Sequence, residues 1–166
     1  MMRARLLLVL LYVAAIGQLA WIGSQMPDTV ATHFDAAGHP NGGMTRAGMV
    51  GFQLMMLGIT AAAFLGLPVL LGRLSPTLVN IPNKEYWLAP ERRAASMAAL
   101  QNWMAVMGCG VVVLLMAVTA LLQHANRMSP PQLSSAALLS CLGAFLVYMV
   151  GTIVALYRRF PWAQRT

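Results

Sequence analysis

The sequence predicts an all-α integral membrane protein: a four-transmembrane-helix bundle with a structured external loop between its first two spans. Three observations predict it. Four apolar runs, 6–25, 47–72, 98–122 and 133–157, contain no Asp, Glu, Lys, Arg or His. Each reaches the roughly 20 residues an α-helix needs to cross a ~30 Å hydrocarbon layer. A water-soluble helix of that length would carry a charged stripe, and these carry none. The composition agrees, at 59% hydrophobic and 9% charged residues, and leaves little chain for a soluble domain. Residues 1–166 therefore read as a single membrane domain. The basic residues are one-sided as well.

Of the eleven Lys and Arg residues, nine flank span ends on one side: Arg3, Arg5, Arg73, Lys84, Arg92, Arg93, Arg158, Arg159 and Arg165. Only Arg46 and Arg127 fall on the other. Positive charge is retained on the cytoplasmic face of a bacterial inner membrane, so both termini and the middle loop are expected inside. The net charge of +7 then serves topology and contact with anionic headgroups rather than nucleic acid. Membrane lipids are the expected partners, and a second copy of the chain is a further one.

The first span, 6–25, follows a short basic start, as a signal peptide would. The apolar run is long for a signal sequence, and Gln25-Met26-Pro27 is a poor cleavage site, so a retained span is expected. The external loop, 27–46, holds both external acids and two of the three histidines. Val30 to Phe34 is rich in β-branched and aromatic residues. Gly38, Pro40 and Asn41-Gly42-Gly43 are turn chemistry. A short hairpin folded over the outer face of the bundle is expected there, with Thr45 capping the second span.

The second span carries Gly58, Ala62 and Gly66 at four-residue spacing. Such a row lets another helix approach closely, and in lipid close packing drives association. The fourth span has a similar row, Ala136, Ser140 and Ala144. The two rows suit a tight helix pair, within one chain or between two. Pro68 is expected to kink the end of the second span. The cytoplasmic loop, 73–97, should end in a helix whose first turn holds Pro90 and Glu91. Tyr86, Trp87, Tyr157, Phe160 and Trp162 suit interfacial anchoring. Ser129 before Pro130-Pro131 reads as the cap and first turn of the fourth span. Cys109 and Cys141 fall inside spans without metal-ligand spacing and read as small packing residues.

Chemistry concentrates in the external loop. His33, Asp35 and His39 carry ligand types that suit zinc and its neighbours. On a strand, residues 33 and 35 would share a face. The set lacks the helical HExxH spacing and a fourth ligand. The plainer expectation is a loop whose polar groups bond its own backbone and the span ends. No acid–base pair lies within the spans, which disfavours a proton-coupled pump. Ser140 has no His or Lys at its depth to activate it as a nucleophile. Glu85, Glu91, Arg92 and Arg93 lie on the opposite side from the histidines and cannot share a site with them.

The stretch Pro27-Asp28, Val30, Thr32-His33-Phe34-Asp35, Gly38 and Asn41-Gly42 resembles the signature of a bacterial membrane domain of unknown function. That domain forms the N-terminal part of the immunity proteins that protect cells from the sporulation-delaying protein toxin. Its usual form is similar to Leu-Pro-Asp-x-Ile-Pro-x-His-Phe-Asn followed by a Gly-containing turn. This chain has Ala31 where Pro is usual and Asp35 where Asn is common. The segment from Asn80-Ile81-Pro82-Asn83 through Leu88 to Arg93 also resembles a subgroup of that family. The resemblance covers about a third of the chain and brings no catalytic residues with it.

The resemblance implies a non-enzymatic inner-membrane protein of the toxin-immunity-like class, with no cofactor. It would bind a toxin-like protein, lipid or membrane partner through Pro27, Asp28, Thr32, His33, Phe34, Asp35 and His39. Asn83, Lys84, Glu85, Tyr86, Trp87, Glu91 and Arg92 would dock a partner on the other side. Two alternatives remain. One is a metal-dependent membrane enzyme, or a subunit of one, using His33, Asp35 and His39. The other is a small lipid or solute carrier.

Overall fold

A computed structural model describes residues 2–73 and 78–161, with side chains placed over 3–70 and 78–161. Trp162, Arg165 and the Arg73 side chain lie outside the described residues. The elements run α1 (Met2–Gln25), β1 (Thr29–Phe34), β2 (Pro40–Thr45), α2 (Arg46–Ala61), a π-helical turn (Ala62–Gly66) and α3 (Leu67–Arg73). They continue with α4 (Lys84–Trp87), α5 (Pro90–Asn126) and α6 (Ser135–Arg159). Among the described residues, four helical segments are long and apolar enough to cross a membrane: Arg3–Gln25, Arg46–Leu70, Pro90–Asn126 and Ser135–Arg159. This is the four-span bundle the sequence predicts, with a two-stranded antiparallel hairpin between its first two spans.

Helices α1 and α5 form the centre. On α1, Leu8, Tyr12, Ala15, Leu19 and Ile22 are buried at alternating four- and three-residue steps, one stripe of a 3.6-residue period. They meet Ala105, Cys109 and Val112 of α5, and Met49 and Leu57 of α2. The outer face of α1 is just as apolar, with Leu6, Leu7, Leu10 and Val13 all half exposed or more. The helix therefore shows no polar side, as expected where lipid replaces water. Helix α5 has 37 residues and reaches about 55 Å at 1.5 Å per residue, so it projects beyond the hydrocarbon layer. Helix α6 lies along α5 and buries only Thr152 among its side chains.

The small-residue rows do not pair within the chain. Gly58, Ala62 and Gly66 are exposed, as are Ala136, Ser140 and Ala144. A Cβ on Gly58 or Gly66 would meet no atom within 4 Å. Close approach happens on α5 instead. A Cβ on Gly108 would stand 2.8 Å from Phe64 Cβ and 3.0 Å from Leu8. These contacts are tertiary and leave no regular spacing in the sequence.

Several boundary expectations hold. Thr45 caps α2 by accepting the Gly48 N–H, and Pro90 occupies the first turn of α5. Ser129 does not cap the last span. Helix α6 starts at Ser135, and Ser134 caps it by accepting the Ala137 N–H. Irregularity in the second span comes before Pro68 rather than after it. In the π-helical turn the Leu67 N–H bonds the Ala62 carbonyl, five residues back. A proline cannot complete the α-helical ladder, and a widened turn is one way to absorb the break.

The side bearing both termini is closed by a small apolar cap. Val79, Ile81, Leu88 and Phe160 are buried together, with Trp87 packed against them. Phe160 is 0% exposed, so it is a core residue and not the interfacial anchor its sequence position suggests. Tyr157 remains exposed at that end.

Candidate functional site

The loop between the first two spans is a hairpin with a fixed seat. Thr29 pairs with Thr45, Val30 with Met44, Ala31 with Gly43 and Phe34 with Pro40. Val30 is fully buried against the bundle. The base is latched by Arg46. Its N–H donates to the Asp28 carbonyl at 2.9 Å, and its guanidinium donates to the Asp28 carboxylate at 2.7 Å and the Met26 carbonyl at 3.2 Å. The Asp28 side chain is almost fully exposed, so the ion pair itself is worth well under about 1 kcal/mol. The latch rests on the backbone bonds.

The turn is made by Asp35 and Gly38. The Asp35 carboxylate accepts the backbone N–H groups of Ala37 at 2.9 Å and His39 at 2.8 Å. Gly38 has φ +86°, the left-handed region that glycine occupies without penalty. A Cβ there would also lie 2.1 Å from the Leu133 carbonyl oxygen. Asn41-Gly42-Gly43, expected as the turn, runs instead in β2. Gly43 is needed there because a Cβ would fall 2.5 Å from the Val30 carbonyl oxygen.

The hairpin is stitched to the far ends of α5 and α6. Asn126 is the main stitch: its side-chain oxygen accepts the Ala31 N–H at 2.8 Å, and its amide donates to the Ala31 carbonyl at 2.9 Å. The Leu133 N–H donates to the Gly38 carbonyl at 2.9 Å, and the Ser135 hydroxyl donates to the Ala36 carbonyl at 3.1 Å. Nearby, the Arg127 guanidinium donates to the Gln25 side-chain oxygen and ties α5 to the end of α1.

Between hairpin and helices lies a groove of about 430 Å³. Thr32, His33, Phe34 and Asn41 form its hairpin wall; Val118, Leu121, Leu122 and Leu138 form the helical wall, with Leu133 from the connection before α6 beside them. His33 Nδ1 lies 3.1 Å from the Thr32 hydroxyl. One wall is thus polar with an aromatic edge, and the other aliphatic. That arrangement suits an amphipathic ligand and fits the usual size of a binding cleft.

The residues expected to act together are divided among three places. Thr32, His33 and Phe34 share the groove. Asp35 and His39 share the turn, with the His39 ring 3.5 Å from the Asp35 carboxylate. Pro27 and Asp28 stand at the hairpin base. Among the described residues no three His, Cys, Asp or Glu side chains gather in one place. The Asp35 carboxyl is held below its ordinary value of 3.8, first by the His39 backbone N–H, with the Ala37 N–H and the His39 ring adding to it.

The second expected set sits at the opposite end. Asn83, in the left-handed region at φ 51°, starts α4. Lys84 and Glu85 begin that helix. Trp87 stacks edge-on between Tyr86 at 5.0 Å and Phe160 at 5.4 Å. Arg92 lies 4.0 Å over the Tyr86 ring, donates to the Tyr86 carbonyl and pairs with Glu91 at 2.9 Å. These contacts hold the apolar cap in place.

Residues 9–57 match the family model of a domain of unknown function, DUF1648. The match covers just under a third of the chain. No curated protein and no solved structure matches. The DUF1648 region takes in most of α1, the whole hairpin and α2 as far as Leu57. It contains the hairpin wall of the groove and none of the helical wall. Sequence reading missed Asn126, Leu133 and Leu138 for a related reason. They lie about ninety residues downstream of their partners and look like ordinary span ends.

Proposed function

We propose that the protein is a non-enzymatic recognition protein of a bacterial inner membrane, with both termini in the cytoplasm. Its hairpin groove takes an amphipathic segment of a membrane-active, toxin-like protein. In this reading Phe34, Leu122 and Leu138 receive apolar side chains, and Thr32, His33 and Asn41 bond to the polar edge. Asp28, Asp35, His39 and Arg46 hold the hairpin in shape.

The observation that carries this is the convergence of Thr32, His33 and Phe34 on one groove with an aliphatic floor. The motif likeness to toxin-immunity proteins points to the same class of partner. The use of both Asp35 oxygens within the turn favours a structural carboxylate over a metal ligand.

Purification from native membranes in mild detergent tests this reading. Phe34→Ala and Leu138→Arg should each reduce the co-purifying protein by about tenfold, as removal of an anchor from a small interface does. His33→Ala should weaken retention equally with and without added zinc. Near-stoichiometric zinc that disappears in His33→Ala and in His39→Ala would instead establish a metal site.

A further inference from the structure

A groove of about 650 Å³ runs between α5 and α6 on the side away from the hairpin. Two hydrogen bonds across it fix its width. The Trp103 indole N–H donates to the Thr152 carbonyl at 2.7 Å, and the Tyr148 hydroxyl donates to the Val106 carbonyl at 2.6 Å. Val106, Gly151 and Ala155 make its walls largely apolar. Gly151 and Ala155 are exposed, so the groove opens sideways towards the surrounding lipid.

Arg159 stands at the outer end of this groove. Its guanidinium lies 5.4 Å from the Trp87 ring and 5.3 Å from the Phe160 ring. Among the described residues no carboxylate pairs with it. Glu91, one of two acids on this side, is already engaged by Arg92 at 2.9 Å. Asn102 also lines the groove, and its side-chain amide has no hydrogen-bond partner among the described residues. The facing pairs Trp103–Thr152 and Val106–Tyr148 put Asn102 near the level of Thr152 and Ile153. That is about 10 Å deeper than Arg159 at 1.5 Å per residue. From Arg159 to Tyr148 the groove follows eleven residues of α6, or about 16 Å, close to half of a ~30 Å hydrocarbon core.

We propose that this groove binds one anionic phospholipid of the leaflet that faces the termini. The phosphate sits on Arg159, the glycerol–ester region extends inwards towards Asn102, and one acyl chain lies along Val106, Gly151 and Tyr148. Charge selects the occupant. Arg159 lies beside Arg158, and neither pairs with a carboxylate among the described residues, so the entrance is positive. A zwitterionic lipid would bring an ammonium group into that field, whereas phosphatidylglycerol brings none. The site is separate from the hairpin groove and does not depend on its ligand.

Native mass spectrometry on the full chain tests this, using detergent micelles holding equal amounts of phosphatidylglycerol and phosphatidylcholine. The unmodified protein should retain phosphatidylglycerol preferentially. Arg159→Gln should lower that preference about fivefold, the effect of one basic residue at a headgroup. Arg158→Gln, with the same change of charge outside the groove, should leave it nearly intact. Gly151→Phe should displace both lipids, since a Cβ at Gly151 meets no atom within 4 Å and the ring has the groove to fill. Gly143→Phe, equally unobstructed and outside the groove, should retain both. Equal losses from the two arginine variants, or undiminished lipid on Gly151→Phe, would overturn the proposal.

Discussion

The side-chain amide of Asn126 bonds both backbone groups of Ala31, accepting from its N–H at 2.8 Å and donating to its carbonyl at 2.9 Å. A single amide at the end of α5 thus stands where a third strand would pair with β1. It satisfies an edge that would otherwise need water. It also fixes the distance between the hairpin wall and the helical wall of the groove.

Asn126→Ala removes both bonds and should loosen the hairpin while leaving the four spans intact. The expected loss is about 1–3 kcal/mol of local stability. Hydrogen exchange at residues 30–34 should accelerate, and exchange within α1 and α5 should not. Unchanged exchange at Ala31 would mean that Val30 and the Arg46 latch hold the hairpin without Asn126.

Acid should open the turn. The Asp35 carboxyl titrates below its ordinary 3.8 in the folded hairpin, first because the His39 backbone N–H donates to the ionised form. A depressed folded value means that the stabilisation is complete above 3.8 and is lost as pH falls through the lower folded value. Exchange at Ala37 and His39 should rise across that window, and Asp35→Asn should flatten the dependence. A turn whose protection is independent of pH in that range would remove Asp35 from this role.

Helix packing gives a paired test. Gly108→Leu places its Cβ 2.8 Å from Phe64 and should cost about 1–3 kcal/mol through overpacking. Gly58→Leu gains the same helix propensity and meets no atom within 4 Å, so it should melt in detergent close to the unmodified protein. A large destabilisation from Gly58→Leu would reveal a partner on the small-residue row, such as a second copy of the chain.

The charge distribution predicts the orientation. Reporter fusions at Gly43 and Met128 should read as periplasmic, and a fusion at Asn83 as cytoplasmic, because nine of the eleven basic residues flank the other side. A cytoplasmic signal at Gly43 would place the hairpin groove inside the cell, away from any external toxin.

Composition made the membrane architecture legible, because lipid-facing helices leave long runs without charge. Thr45 and Pro90 marked their helix starts through local chemistry, and Val30 to Phe34 showed as a strand. Packing was not legible. Helix α1 is apolar on every face, so its buried stripe has no contrast with Leu6 or Val13. Gly58 and Gly66 have the spacing of an interface and face outwards, whereas Gly108 sits in the interface without that spacing. The groove was half visible: Thr32, His33 and Phe34 stood out as a motif. Asn126, Leu133 and Leu138 reach them only through the fold.

The most direct test of the recognition reading is photocrosslinking in native membranes. A benzophenone amino acid at Phe34 should give a discrete protein adduct, and the same probe at Ile59, on the exposed face of α2, should give none. Leu138→Arg combined with the Phe34 probe should abolish the adduct. Identical products from Phe34 and Ile59, or a Phe34 adduct that survives Leu138→Arg, would contradict a partner seated in the hairpin groove.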